Sequence, residues 1–169
     1  MTARKTLFLS SLLLLLTSLY NTSLQAQDYS NYYAIFITKF IDYVNWPSGK
    51  NDIVIGVAGN AKVEAELNKI LKAKGKNYKV MEVSDASQAS QCKIIFFADG
   101  QKKLFESIES ATAGKSILLI SEEEALAKSG AVISFYSEDN KLKFIVNKQA
   151  AESRSLQISS SLLNLAKVI

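Results

Sequence analysis

Apolar and polar residues follow two distinct rhythms along this chain. Tyr33, Ile37, Phe40, Ile41 and Val44 recur at helical spacing, Phe36 widens the stripe, and Thr38, Asp42 and Asn45 fall on another face. Asp28 and Ser30 are available as caps, and Pro47 forces the helix to stop at or before Trp46. A short apolar strand, IVIGVAG at 53–59, runs directly into a second helix whose buried face is Val63, Leu67, Ile70 and Leu71. That helix carries Glu64 and Glu66 near its start and Lys69, Lys72 and Lys74 at its end, as the helix dipole favours, and Gly75 supplies its stop.

Further strands are expected at 78–83, 92–97 and 116–120. Asp99-Gly100 turns into a helix bearing Leu104, Phe105 and Ile108, and Ser121 with Glu124 has the form of a capping box before a short helix ended by Gly130. Residues 131–136 and 141–146 flank the turn-forming Ser137-Glu138-Asp139-Asn140, which predicts a hairpin. A closing helix is expected, with Ile158, Leu162, Leu165, Ala166 and Ile169 on one face. Strands alternating with helices argue for one α/β domain, Rossmann-like, with a mostly parallel sheet of about six strands, helices on both faces and the antiparallel hairpin at one edge.

The first residues follow a different logic. Arg4 and Lys5 precede an apolar stretch from Thr6 to Thr17, and Leu24-Gln25-Ala26 ends in a small residue. This is the layout of a secretory signal peptide at 1–26, cleaved near Ala26, and its apolar core is short for a membrane span. The domain then occupies 27–169, is expected to be exported, and is expected to have no direct membrane span once the leader is cleaved. Removing the leader leaves 18 basic and 16 acidic residues, so the charge gives no support to nucleic-acid binding. Cys92 is the only cysteine, which rules out an internal disulfide. There is no histidine, so the commonest general base and metal ligand is missing, and no catalytic residue, metal site or cofactor is expected.

Some stretches sit where chemistry often sits. Gly56 to Asn60 forms a strand-to-helix turn but lacks the third glycine of a dinucleotide fingerprint and the Gly-Lys-Ser/Thr of a P-loop, so it reads as a tight turn. Gly59, Asn60, Asp99 and Ser121 all follow strands and could line a ligand crevice at the carboxyl edge of the sheet; Ser121 as a helix cap is the plainer account. The lysines from Lys69 to Lys79 read as a solvated helix end, and Cys92 as an inert buried thiol. Tyr29, Tyr32, Tyr33 and Tyr43 around the first helix are more aromatic surface than one core face needs, which points to a partner.

FITKFIDYVNWP, at 36–47, resembles the signature helix of the YfiR family, with Phe36, Phe40, Tyr43, Val44, Trp46 and Pro47 matching and Thr38, Lys39 and Asn45 departing from it. The closing stretch is similar to the family's as well, through Gly130, Phe144, Asn147, Ala150, Ala151, Leu156, Ile158, Ser159, Ser160, Leu162, Leu163, Leu165 and Ala166. The resemblance implies a periplasmic, non-enzymatic α/β regulator. Its partner would be a membrane sensor protein, a diguanylate cyclase of cyclic-di-GMP signalling or a sensor kinase, and it would form a homodimer. Disulfide-tuned control, known among relatives, is not expected with Cys92 alone. The contact or switching candidates are Tyr33, Phe36, Phe40, Tyr43, Trp46, Pro47, Arg154, Leu156, Ile158 and Leu162. Arg154 is the one arginine after the leader, suited to an interface carboxylate or to an ordinary surface position. The alternative function is a small-ligand binder using Gly59, Asn60, Asp99 and Ser121.

Overall fold

The computed structural model describes residues 28–169; the expected leader and its cleavage point lie outside them. The apolar stripe forms helix α1, Ser30–Tyr43. Tyr29 stands at the N-cap position with no side-chain cap bond, and Asp28 just before it accepts the Ser30 N–H through Oδ1 at 3.0 Å. The helix ends ahead of Pro47, because Val44 turns extended. Val44–Asn45 (β1) then pairs antiparallel with Gln157–Ile158 (β8). Trp46 therefore lies beyond the helix, not on it.

Strand β2 (Val54–Ala58), helix α2 (Ala61–Ala73), strand β3 (Lys79–Glu82), helix α3 (Ala86–Ala89), strand β4 (Ile94–Phe97), helix α4 (Lys102–Ala111) and strand β5 (Leu118–Ser121) follow in alternation. A 3₁₀ turn at Glu124–Ser129 leads to the hairpin β6 (Ile133–Glu138) and β7 (Lys141–Val146). Asp139 and Asn140, both at positive φ (51° and 57°), make the tight two-residue turn. With Lys167–Val168 as β9, the strand order is β3-β2-β4-β5-β6-β7-β9, seven strands in all. Pairing is parallel except across the β6–β7 hairpin. The expected α/β architecture is present, with the short β9 (Lys167–Val168) added outside the hairpin.

Strand alternation divides the core into two layers. Ile94, Phe96, Leu118 and Ile120 face α1, α2 and the closing segment, whereas Ile95, Phe97 and Leu119 face α3, α4 and the 3₁₀ turn. On the α1 side the rings interlock: Tyr33 lies 5.3 Å from Phe96 and 4.9 Å from Phe135 between centroids, and Phe40 is 5.2 Å from Phe144. Such pairs contribute about 0.5–1.5 kcal/mol each beyond area burial.

The closing helix is not formed. In its place are helix α5 (Lys148–Ser153), strand β8, one helical turn α6 (Ser160–Leu163) and strand β9. Ser155 sits at φ 56°, which breaks the helical path. Pairing of Ile158 with Val44 and of Val168 with Val146 then claims backbone groups a helix would need. Leu165 is 72% exposed, so the apolar spacing there does not mark one buried face. Ser121 also departs from the capping box: its Oγ accepts the Glu123 N–H at 2.9 Å ahead of the 3₁₀ turn.

Candidate functional site

The side chains of α1 divide sharply between core and solvent. Tyr33 and Phe40 are buried, as are Trp46, Leu156 and Leu162 beyond the helix, so these contact candidates are core in this structure. Thr38 is buried as well, its hydroxyl donating to the Ile35 carbonyl at 2.8 Å. Pro47 is exposed, while Phe36, Tyr43 and Ile158 are half-buried. The outward stripe is instead Tyr29, Tyr32, Ile35, Phe36, Lys39 and Tyr43, which share one helical face at three- and four-residue intervals. Tyr32 is 52% and Ile35 41% exposed. Phe36 ties this stripe to the hairpin, 5.7 Å from Phe135 and 5.8 Å from Phe144. At its other end the Tyr43 carbonyl accepts the Ser159 N–H at 2.9 Å, joining the stripe to the closing segment. Ile35 is the residue the sequence reading missed, although its place off the buried stripe was the available signal.

Arg154 is neither on the surface nor free for a partner's carboxylate. It is 2% exposed, and its guanidinium reaches across to the end of α4. Nη1 donates to the Thr112 carbonyl (3.1 Å) and hydroxyl (3.3 Å), and Nη2 to the Glu109 carbonyl and carboxylate, both at 3.4 Å. Arg154 thus supplies the donor for the Glu109 carbonyl at the end of α4 and a second one for that of Thr112, which also accepts the Lys115 N–H at 3.0 Å. Burial pulls its pKa below the usual arginine value, and the Glu109 carboxylate opposes that shift.

The carboxyl edge of the sheet separates the crevice candidates. The order reverses between β2 and β4, where open α/β sheets commonly bind ligands. Gly59 and Asn60 line a hollow of about 310 Å³ with Glu64 and Glu82. Asn60 is already engaged there: its side chain accepts the Lys62 and Val63 N–H groups, both at 3.1 Å, capping α2. Gly59, at φ 80°, lies under Gln101, whose Nε2 would be 2.6 Å from an added Cβ. Asp99 lines a different hollow, of about 370 Å³, with Tyr29, Tyr33, Glu122, Glu123 and Tyr136. Ser121 is fully buried and lines neither.

In that second hollow Glu122 is the organising group. Its carboxylate accepts the Tyr33 hydroxyl and the Asp99 N–H, both at 3.1 Å, and Glu123 accepts the Gly100 N–H at 3.1 Å. Burial and the neighbouring Glu122 charge raise the Tyr33 pKa far above the ordinary tyrosine value, keeping the phenol protonated. Burial likewise pushes the Cys92 thiol up to about 11, which leaves it a poor nucleophile. Tyrosine faces beside carboxylates would suit a small cation. Among the described residues no group of metal-ligating side chains converges, and no helix is long and apolar enough to cross a membrane.

A family model described as YfiR/HmsC-like matches residues 30–167. No curated protein matches the chain. Among solved structures, a conserved domain protein from Vibrio cholerae O1 biovar El Tor is similar at TM-score 0.53 and 13% identity, covering 82% of this chain and 59% of its own. The ABC domain in complex with L-Trp from Streptococcus pneumonia is similar at TM-score 0.59 and 13% identity, covering 83% of this chain and 60% of its own. The chain thus spans about three-fifths of the length of these structures, and at such identity the likeness is one of α/β fold.

Proposed function

The chain belongs to the YfiR/HmsC-like family, and from that premise we propose that it is an exported, non-enzymatic regulator that binds the periplasmic sensor region of a membrane signalling protein. The observation that carries the reading is the family match across residues 30–167. The family's resemblance favours a diguanylate cyclase as the partner, so that binding alters cyclic-di-GMP output; a sensor kinase is the other candidate. The leader at 1–26 supports delivery to the periplasm, and a homodimer is the assembly the resemblance favours.

Within this reading the docking face is the outward stripe of α1. Tyr32 and Ile35 are exposed apolar groups beside the half-buried Phe36 and Tyr43, and aromatic residues of this kind commonly anchor interfaces. Trp46, Phe40, Leu156 and Leu162 support that face from beneath, and Arg154 anchors the closing segment that borders it. The test is a pull-down from detergent-solubilised membranes with three baits: wild type, Tyr32→Ala with Ile35→Glu, and Trp46→Phe. Wild type and Trp46→Phe recover a membrane sensor, and the stripe variant, still folded by circular dichroism, does not. Equal recovery by all three would place the contact elsewhere.

The hollow at the carboxyl edge favours a second reading, a small-ligand binder. Its tyrosines and the carboxylates of Asp99, Glu122 and Glu123 suit a small cationic amine, though Gly59, Asn60 and Ser121 are committed to local structure. A thermal shift with amine metabolites that disappears in Glu122→Gln would support it, and an unshifted transition across such a panel would remove it.

A further inference from the structure

On the face of the sheet opposite α1 lies a hollow of about 680 Å³ that the regulatory reading does not use. It is bounded by the 3₁₀ turn, β7 and β9, through Ala127, Ile145 and Lys167 among others. Phe144 and Val146 belong to the α1-side core, so Ile145 between them points the other way, into this hollow. The floor is therefore apolar. The rim carries Lys128 and Lys167 against Glu124, whose carboxylate is 3.9 Å from the Lys167 Nζ. Directly across the β6–β7 ladder from Ile145 stands Ser134, fully buried, whose hydroxyl has no partner among the described residues.

Concave apolar sites of about 300–1,000 Å³ with a few polar groups suit small molecules. Lys167 is shared between Glu124 and the field of Glu138 and lies 5.8 Å from the Tyr136 ring centroid, whereas Lys128 pairs with no carboxylate among the described residues, so a negative head would be held there while an apolar body covers Ile145 and Ala127. We infer that this hollow is a binding site for a small free amphiphile with a carboxylate head and an apolar body, held by Lys128 and Lys167. The inference stands independently of the partner reading, since none of these residues belongs to the α1 stripe.

The test follows amide chemical shifts of the isotope-labelled protein during titration with octanoate, with octylammonium and phosphatidylglycerol vesicles as comparisons. Octanoate is expected to move the amides of Ala125, Ala127, Lys128, Ile145 and Lys167 while those of α1 stay in place. Replacing both lysines (Lys128→Ala with Lys167→Ala) weakens its affinity about fivefold or more, the loss of roughly one exposed ion pair. Ala125→Phe, at an exposed position on the hollow, fills the space and abolishes binding without disturbing the core. The inference is overturned if octanoate shifts nothing in this set at millimolar concentration, if octylammonium binds as well, or if only the vesicles bind.

Discussion

Replacing Arg154 by alanine tests whether the closing segment is fastened to α4 as described. The side chain is 2% exposed and donates to the carbonyls of Thr112 and Glu109 as well as to the Thr112 hydroxyl. Its ion pair with Glu109, at 3.4 Å, involves a carboxylate that is 36% exposed, so that pair alone contributes less than about 1 kcal/mol. The larger effect comes from the Glu109 carbonyl, left without a donor in a buried place at a cost of about 1–3 kcal/mol unless water enters, whereas the Thr112 carbonyl keeps the Lys115 N–H at 3.0 Å. Loss of the packed methylenes adds to this. The expected destabilisation is about 2–4 kcal/mol, read as a shift in urea midpoint at unchanged slope. Arg154→Lys retains charge without the forked geometry and should recover less than half of the loss. Glu109→Gln keeps the helix-end contacts and should cost under about 1 kcal/mol. A cost below about 1 kcal/mol for Arg154→Ala, or one for Glu109→Gln as large as for Arg154→Ala, would show that the closing segment is not fastened in this way.

Three further outcomes are expected. Tyr33→Phe removes the hydrogen bond to Glu122 and should cost about 1 kcal/mol at neutral pH. Because the folded-state pKa of Tyr33 is raised, its protonation contributes stability that is complete below about pH 10 and is lost as pH rises towards the folded value, so the phenylalanine variant should show a shallower alkaline decline in urea titrations. Cys92, buried and with a thiol raised to about 11, should resist alkylation by iodoacetamide at pH 8 in the native protein and react fully in urea; fast native labelling would contradict the burial. Gly56→Ala would place a Cβ 2.5 Å from Val83 Cγ2 and 2.9 Å from Cys92 Sγ, so it should lower stability by about 1–3 kcal/mol in the same assay.

The sheet was legible in the sequence because its central strands are continuous apolar runs, as strands buried on both faces must be; Ile94 to Phe97 is one case. The core stripe of α1 was equally plain from its spacing. What the spacing did not give was the closing segment, where the intervals between Ile158, Leu162, Leu165 and Ile169 imitate a helix while distant strands take up the backbone. Arg154 was misplaced for a related reason. Its partners, Glu109 and Thr112, lie more than 40 residues earlier, and no local pattern signals a helix end that needs a remote donor. The crevice candidates share a position after strands, but Gln101 over Gly59 and the inward turn of Ser121 depend on packing that the motifs do not encode. On α1, Tyr32 and Ile35 could have been separated from Tyr33 by helical angle, whereas the family signature drew attention to its buried members.

The outward stripe of α1 as the docking face for a membrane sensor is tested most directly by photo-crosslinking in living cells. A benzophenone amino acid would replace Tyr32 in one strain, and Ala125, on the opposite sheet face, in another. Position 32, on ultraviolet irradiation, is expected to form a covalent adduct with an integral membrane signalling protein, identified by mass spectrometry, and position 125 is not. A membrane-protein adduct from position 125 alone, or none from either position in cells where the protein is expressed and exported, would contradict it.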